Sequence, residues 1–297
     1  MQSLPTFSRV LIFAGLVLIF SALSAFLGQF IATQITGSTF TFAPGTPLPS
    51  GRGAWSYLNI TLSASQIVGF GGAVWTYLKF FGGPAARPNL HWQAPSHWLS
   101  WPLAATAVLT IAPLLLWSYN LNASLIPEDG ALASFALPLE AFLEQMTGLM
   151  LSVDGTGDRL LMLVVVALLP AIFEELAFRG ILQPLLIKLA GRAWLGILIT
   201  SLIFSFIHFQ FYGFLPRVLL GLLFGFIVWK TGSLWPAILA HFVNNAFAAL
   251  TFWTTGTLDS PELPLLSLTG LAHTAAFIAT LLALSRSPAS LAPRITR

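Results

Sequence analysis

Three ionisable side chains lie in the middle of a strongly apolar stretch of this chain. Residues 174–179 read Glu-Glu-Leu-Ala-Phe-Arg, and the apolar stretch around them runs from Leu160 to Ile187, which is long enough to cross a bilayer. A charged side chain near the centre of a membrane helix costs roughly 2.5–3.5 kcal/mol on insertion scales, so such residues normally face protein and serve a function. A carboxylate in this setting could act as a general base or take part in a proton relay.

Helical spacing divides these charges into a pair and a single carboxylate. Glu175 and Arg179 are four residues apart, so they share a helical face and can form an ion pair. Glu174 points about 100° away from that face. Pro170 lies one turn earlier and has no backbone N–H, so a carbonyl oxygen near the site loses its helical partner. We therefore predict that Arg179 neutralises Glu175, while Glu174 faces a cavity that contains water.

A histidine in the next apolar segment lies at a matching depth. His208 ends the string Phe-Ser-Phe-Ile-His, which begins at Phe204. Glu174 lies fourteen residues before Lys188, and His208 lies sixteen residues after Arg192, on opposite sides of one predicted turn. At about 1.5 Å per residue, both side chains are roughly 21–24 Å from that turn. Glu174 and His208 are therefore predicted to meet on adjacent antiparallel helices.

A third polar group lies in a later apolar segment, where residues 241–245 read His-Phe-Val-Asn-Asn. His241 and Asn245 are four residues apart and share a helical face, and Asn244, at three residues, is a weaker candidate. Taken alone, a histidine and two asparagines in an apolar span could also serve only to hydrogen-bond helices together. Their occurrence beside the glutamates and the earlier histidine favours one shared polar site.

The composition sets the class of protein that must hold these groups. Of the 297 residues, 56% are hydrophobic and only 8% are charged, whereas a soluble domain is about 25% charged. Several apolar runs exceed the ~18 residues that a membrane helix needs, which predicts an all-α polytopic membrane protein with about eight transmembrane helices. The predicted spans are roughly 10–33, 57–81, 99–119, 160–187, 194–211, 214–230, 235–254 and 265–285. The chain has no cysteine, which excludes disulfides, a thiol nucleophile and cysteine-ligated metal.

The basic residues predict how these spans are oriented. With the N- and C-termini both cytoplasmic, nine of the 13 Lys and Arg residues fall on the cytoplasmic side, as the positive-inside rule requires. The cytoplasmic set is Arg9, Lys79, Arg87, Lys188, Arg192, Lys230, Arg286, Arg294 and Arg297, and the exterior set is Arg52, Arg159 and Arg217. The acidic residues predicted outside are Glu128, Asp129, Glu140, Glu144, Asp154, Asp158, Asp259 and Glu262. The net charge of +3 is thus explained by topology in a cell (plasma or inner) membrane, and not by nucleic-acid binding.

Taken together, these residues resemble the CAAX protease and bacteriocin-processing family (CPBP or Abi) of intramembrane peptidases, whose best-known members are the type II CAAX prenyl endopeptidases. The family has three signatures, Glu-Glu-x-x-x-Arg, Phe-x-x-x-His and His-x-x-x-Asn or Asp, which occur here in order at 174–179, 204–208 and 241–245. Each motif is weak alone, but three in order on three separate spans are a specific signal. The resemblance covers about residues 158–255.

The resemblance implies that the chain hydrolyses a peptide bond within the membrane. In the family's mechanism, Glu174 and His208 would hold and activate a water molecule, and His241 and Asn245 would stabilise the oxyanion of the tetrahedral intermediate. The supporting residues would be Glu175, Arg179, Phe204 and Asn244. The partners implied are the lipid bilayer and a membrane-embedded or lipid-modified protein substrate.

Two questions stay open at this point, and one concerns metal. We expect no cofactor, but Glu174, His208 and His241 are the residues that would ligate zinc if a metal were bound, since His and Glu are common zinc ligands. The other concerns the class of function. Intramembrane Glu, His and Arg are also found in proton-coupled transporters, and a non-catalytic bacteriocin-immunity-type binding protein is a further alternative.

The chain is expected to divide into four regions. Residues 1–130 form an N-terminal membrane region with three spans, and residues 131–157 an exterior or interfacial amphipathic segment. Within the latter, 131–150 contains Pro138, Glu140 and Glu144, and we expect an interfacial helix there and not a span. Residues 158–255 would be the family-like core with four spans, and 256–297 the last span with a basic cytoplasmic tail.

Overall fold

The computed structural model describes residues 4–81, 90–126, 130–257 and 265–286. Ten helices make up most of this part of the chain, which contains no strand. In chain order they are α1 (Thr6–Thr36), α2 (51–80), α3 (Ser100–Thr110), α4 (Ala112–Ser124), α5 (Ala131–Leu151), α6 (Thr156–Ala190), α7 (Ala193–Phe206), α8 (Phe214–Thr231), α9 (Trp235–Thr255) and α10 (Leu268–Ser285). The prediction of an all-α fold is therefore confirmed.

Two of the long helices contain wider, π-helical turns. In α2 such a turn covers Ser65–Gly71, and in α6 two of them cover Leu163–Leu168 and Leu176–Leu182. π-helical turns are rare in proteins, and those that do occur are often found at functional sites. In α6 they flank the α-helical segment Leu169–Glu175, which ends with the two glutamates.

Four helices, α1, α6, α8 and α10, are long and apolar enough to cross a membrane. The pair α3 and α4, bent by 42°, is a fifth candidate. By contrast, α7 is apolar but has only 14 residues, and α9 carries the polar residues of the third motif. The chain is a multi-pass helical membrane protein, while the number of eight spans and the cytoplasmic side of both termini stay predictions.

Each predicted span corresponds to a helix or to the bent pair, and the segment predicted at 131–150 forms α5 with Pro138 inside it. One boundary is wrong, because the span predicted at 194–211 ends as a helix at Phe206. Phe209 has a φ of 54°, a left-handed conformation in which a right-handed helix cannot continue. Seven residues used for the orientation lie outside the described residues: Arg87, Glu128, Asp129, Asp259, Glu262, Arg294 and Arg297.

The helices that carry the three motifs pack around two buried apolar clusters. One includes Phe224 and joins α3, α8 and α9, and the other includes Phe178 and Phe204 and joins α1, α2, α6 and α7. Tight turns connect α6 to α7 and α8 to α9. They begin at Gly191 and Gly232, whose φ values of 68° and 69° are reached without strain by glycine. The three motifs are thereby brought to one region of the bundle.

The C-terminal end of α5 is fastened to the bundle by two indole groups. Trp55 donates its Nε1–H to the carbonyl oxygen of Met150 at 3.1 Å, and Trp253 donates to that of Leu151 at 2.8 Å. These carbonyls belong to the last turn of the helix, where no helical N–H is available to them. The contacts fix the position of α5 against α2 and α9.

Candidate active site

The first motif contains a fully buried ion pair on α6. Arg179 Nη1 lies 2.7 Å from Glu175 Oε1, and neither side chain is exposed. Arg179 Nη2 also donates to the carbonyl oxygen of Gly221 on α8 at 3.0 Å. The i,i+4 pair expected from the spacing is therefore present, and it also joins α6 to α8.

Two aromatic rings enclose the guanidinium group of Arg179. Its central carbon lies 4.6 Å from the ring centre of Phe204 on α7 and 5.4 Å from that of Phe224 on α8. A desolvated cation–π contact of this kind contributes about 2 kcal/mol. The phenylalanine of the second motif thus packs directly on the arginine of the first.

Glu174 has different partners from its neighbour. Its side chain is buried, and within the described residues it forms no ion pair with a lysine or arginine. Its Oε1 accepts a hydrogen bond from Nε2 of Gln66 at 3.1 Å, and its Oε2 lies 4.0 Å from Nε2 of His241. The division into one braced and one separate carboxylate is therefore seen in the structure.

His241 lies between the two glutamates. Its Nδ1 is 3.0 Å from Glu175 Oε1, and since an ionised carboxylate can only accept, Nδ1 carries the hydrogen of this bond. Its Nε2 then faces Glu174. The imidazole stacks on the ring of Phe224 at 5.0 Å between centres, with 18° between the ring planes. Packing and one hydrogen bond therefore fix the orientation of the ring.

Asn245 lies on the same face of α9 and contacts α6. Its Nδ2 donates to the carbonyl oxygen of Val166 at 3.3 Å, and its Oδ1 accepts from Asn244 Nδ2 at 3.1 Å. In an α-helix the Val166 carbonyl would accept from the N–H four residues later, but that residue is Pro170, which has none. Pro170 cannot donate to this carbonyl, which is bound by the asparagine of the third motif.

His208 lies just beyond the end of α7. Its Nδ1 is 2.7 Å from the carbonyl oxygen of Phe204, so this nitrogen carries the hydrogen and Nε2 is left as an acceptor. The ring packs edge-to-face on Phe204 with 5.0 Å between centres. It forms no hydrogen bond or ion pair with Glu174, although both residues are described. The pairing of Glu174 with His208 stays a prediction.

The turn that carries His208 is held by two helices from outside the motifs. Glu140 of α5 accepts a hydrogen bond from the backbone N–H of Tyr212 at 2.8 Å. Asn122 of α4 donates to the carbonyl oxygens of Phe211 at 2.6 Å and Tyr212 at 3.1 Å. These contacts bind three backbone groups of the segment that follows His208, and they hold the turn in place.

The part of the chain that contains these residues is similar to a known protein family. Residues 156–247 match the family model described as "Type II CAAX prenyl endopeptidase Rce1-like". The matched stretch, about a third of the chain, is similar to this family of endopeptidases. The resemblance drawn from the three motifs is thereby confirmed, and the matched stretch contains all the candidate residues from Glu174 to Asn245.

A curated membrane peptidase is also similar to part of the chain. A stretch of 90 residues is 31% identical to a protein of Bacillus subtilis (strain 168) named "Putative membrane peptidase YdiL". The stretch covers 30% of this chain and 36% of YdiL, so the chain spans about a third of the length of that curated relative. No solved structure matches the chain.

Three residues of the site were not found from the sequence, and none belongs to the matched CAAX segment. They are Gln66, Asn122 and Glu140. One signal could have found Gln66, because it is an uncharged polar side chain near the middle of the span predicted at 57–81. No local pattern identifies the other two, whose partners lie 72 to 90 residues away in the chain.

The zinc alternative concerns Glu174, His208 and His241. Among the described residues, no group of three or more His, Asp or Glu side chains is placed to hold a metal ion. Glu174 Oε2 and His241 Nε2 lie 4.0 Å apart, and His208 donates Nδ1–H to the Phe204 carbonyl, which leaves its Nε2 as an acceptor. The expectation of no cofactor, with zinc as its alternative, stays a prediction.

Proposed function

We propose that this chain is an intramembrane endopeptidase that hydrolyses a peptide bond in a membrane-associated protein or peptide. The observation that carries the proposal is the environment of Glu174, a buried carboxylate with a neutral amide donor on one oxygen and a histidine nitrogen 4.0 Å from the other. A structural brace needs only Glu175 and Arg179, so a second buried carboxylate needs another role. The match of this segment to CAAX endopeptidases supports the same reaction.

In the proposed mechanism, Glu174 and His208 activate the water molecule. The tautomer of His208 supports this role, because a neutral imidazole with its hydrogen on Nδ1 can accept a hydrogen bond from water at Nε2. Since the two side chains are not in contact, the assignment requires a water molecule between them. A water that donates to two acceptors spans roughly 4–5 Å at ordinary hydrogen-bond lengths.

The steps then follow the ordinary course of acyl transfer. Glu174 takes one proton from the water molecule. At the same time the water oxygen forms a bond to the carbonyl carbon of the substrate. The π-electron pair of the C=O bond moves to the carbonyl oxygen, which gives the tetrahedral intermediate. Collapse of this intermediate breaks the C–N bond as the proton passes from Glu174 to the leaving amine. A positioned base of this kind contributes about 10²–10⁴ in rate.

His241 and Asn245 are proposed to stabilise the oxyanion. His241 would donate to the oxyanion through an Nε2–H, while its Nδ1–H stays bound to the Glu175 carboxylate. The short separation of this Nε2 from Glu174 fits a base and a donor that act on neighbouring atoms of one carbonyl group. Asn245 would have to leave the Val166 carbonyl, a weak bond at 3.3 Å, to add a second donor. One such donor contributes about 10²–10³ in rate.

The test compares variants of the full-length protein in detergent on an internally quenched peptide that ends in a prenylated CAAX motif. Glu174→Gln keeps the shape and the contact with Gln66 but removes the base, so we expect kcat to fall by about 10³-fold or more with unchanged folding. Glu144→Gln on α5 is the matched control, because that carboxylate is exposed and lies outside the site. Retention of wild-type cleavage by Glu174→Gln would refute the proposal. Cleavage in detergent, where no gradient exists, also separates an endopeptidase from a proton-coupled transporter.

A further inference from the structure

The carboxylate of Glu174 is held by a side chain that none of the three motifs contains. Gln66 of α2 donates its Nε2–H to Glu174 Oε1 at 3.1 Å, and in the described part of the chain no other hydrogen bond reaches this carboxylate. The two residues are 108 positions apart, and Gln66 lies well outside the matched CAAX segment. The site therefore includes a group from the N-terminal membrane region.

The backbone of α2 is shaped to bring this glutamine close to α6. Gln66 lies at the start of the π-helical turn Ser65–Gly71. At the other end of the turn, a Cβ on Gly71 would lie 2.8 Å from the ring of Phe173, so only glycine allows this approach. Phe173 directly precedes Glu174. The two helices are therefore tightly packed next to the carboxylate.

The chemistry of the contact suits a general base. A guanidinium or ammonium donor would form a charge pair with the carboxylate and reduce its basicity. An amide donor is neutral, so it fixes one oxygen in place with a smaller loss of basicity than a cation would cause. With Oε1 bound to Gln66, the oxygen that faces His241 is Oε2, which is left to accept a proton.

We propose that Gln66 is a positioning residue of the active site, which holds Oε1 of Glu174 so that Oε2 faces the water and the histidines. This inference rests on the proposed function. The amide oxygen of Gln66 is itself buried without a partner, so it is also available to accept a hydrogen bond from the bound water or from a substrate N–H. The N-terminal region thereby contributes to catalysis and not only to membrane anchoring.

A second glutamine in the same bundle provides a matched control. Gln183 of α6 also donates one hydrogen bond through Nε2, to the carbonyl oxygen of Gly225 at 3.2 Å, and its Oε1 is also buried without a partner. It lies nine residues from Glu174 along α6, so roughly 13 Å separates the two backbone positions at 1.5 Å per residue. Replacing either glutamine by methionine keeps the volume and removes the hydrogen bonds.

The experiment measures kcat, KM and the pH–rate profile of full-length wild type, Gln66→Met and Gln183→Met with the prenylated CAAX peptide. We expect Gln66→Met to lower kcat by about 10- to 100-fold with KM changed less than about threefold, as for loss of a hydrogen bond to a charged group. The acid limb of its profile should move to higher pH, because the ionised carboxylate has lost its donor. Gln183→Met should leave both the profile and kcat close to wild type.

Other outcomes would overturn the inference. A Gln66→Met variant with wild-type kcat, or equal losses in both methionine variants without a shift of the acid limb, would show that Gln66 has no positioning role. If Gln66→Met does not fold, Gln66→Glu keeps the length and polarity and should be inactive at neutral pH but partly active in acid, where a shared proton restores the bond. Wild-type activity of Gln66→Glu at neutral pH would refute the inference. Full activity of Glu174→Gln would refute the proposed function itself, and the inference with it.

Discussion

Removal of Arg179 should destabilise the protein through the charge that it leaves behind. Its guanidinium is fully buried, lies 2.7 Å from Glu175 and donates to the carbonyl oxygen of Gly221. In Arg179→Met, the Glu175 carboxylate would stay buried with only His241 as a partner. Loss of one member of a buried ion pair costs about 3–5 kcal/mol, so we expect a decrease of that size in the free energy of unfolding.

A double variant separates this charge effect from simple loss of packing. In Glu175→Gln with Arg179→Met, no unpaired charge remains, and the free energy of unfolding should recover to within about 1–2 kcal/mol of wild type. Denaturant or thermal unfolding of the protein in detergent, carried out as a double-mutant cycle, measures the coupling. If the double variant were no more stable than Arg179→Met alone, the interpretation of Glu175 and Arg179 as a buried charge pair would be wrong.

Two further predictions concern contacts outside the three motifs. Glu140→Ala removes the acceptor that binds the Tyr212 N–H, and the displaced His208 turn should lower kcat about tenfold. Glu144→Ala on the same helix is the control and should leave kcat unchanged. Equal kcat values of the two variants in steady-state kinetics would show that Glu140 has no such role. At the N-terminal end of α6, before the predicted span, the hydrogen bonds from Arg52 hold the pKa of Asp158 below its usual value. This pair therefore stabilises the fold above about pH 4 and loses its effect as the pH falls through the lowered pKa. Asp158→Asn should therefore unfold more easily than wild type at pH 7, with a difference that disappears in acid; a difference independent of pH would contradict this.

The sequence predicted those parts of the site that depend on spacing along one helix. The pair of Glu175 with Arg179 and the separate direction of Glu174 follow from four-residue and one-residue offsets, and both are seen in the structure. The carbonyl freed by Pro170 was also expected, although its partner was not. The acceptor of Asn245 could be identified only once α9 was placed against α6.

The contacts that the sequence did not predict join residues far apart in the chain. Gln66 and Glu140 bind groups 108 and 72 residues away, and neither occurs in a recognisable motif. The end of α7 was misplaced for a related reason. The apolar pattern continues past Phe206, but the left-handed conformation of Phe209 and the contacts from α4 and α5 override it.

We propose that Glu174 activates water to cut membrane-associated proteins, and the termini of proteins in the membrane provide the test. Cells that express the wild-type chain or Glu174→Gln at equal levels would be compared by mass spectrometry of new N- and C-termini in the membrane fraction. We predict a set of termini that is present with the wild type and absent with Glu174→Gln. The same set of termini in both cells would contradict the account.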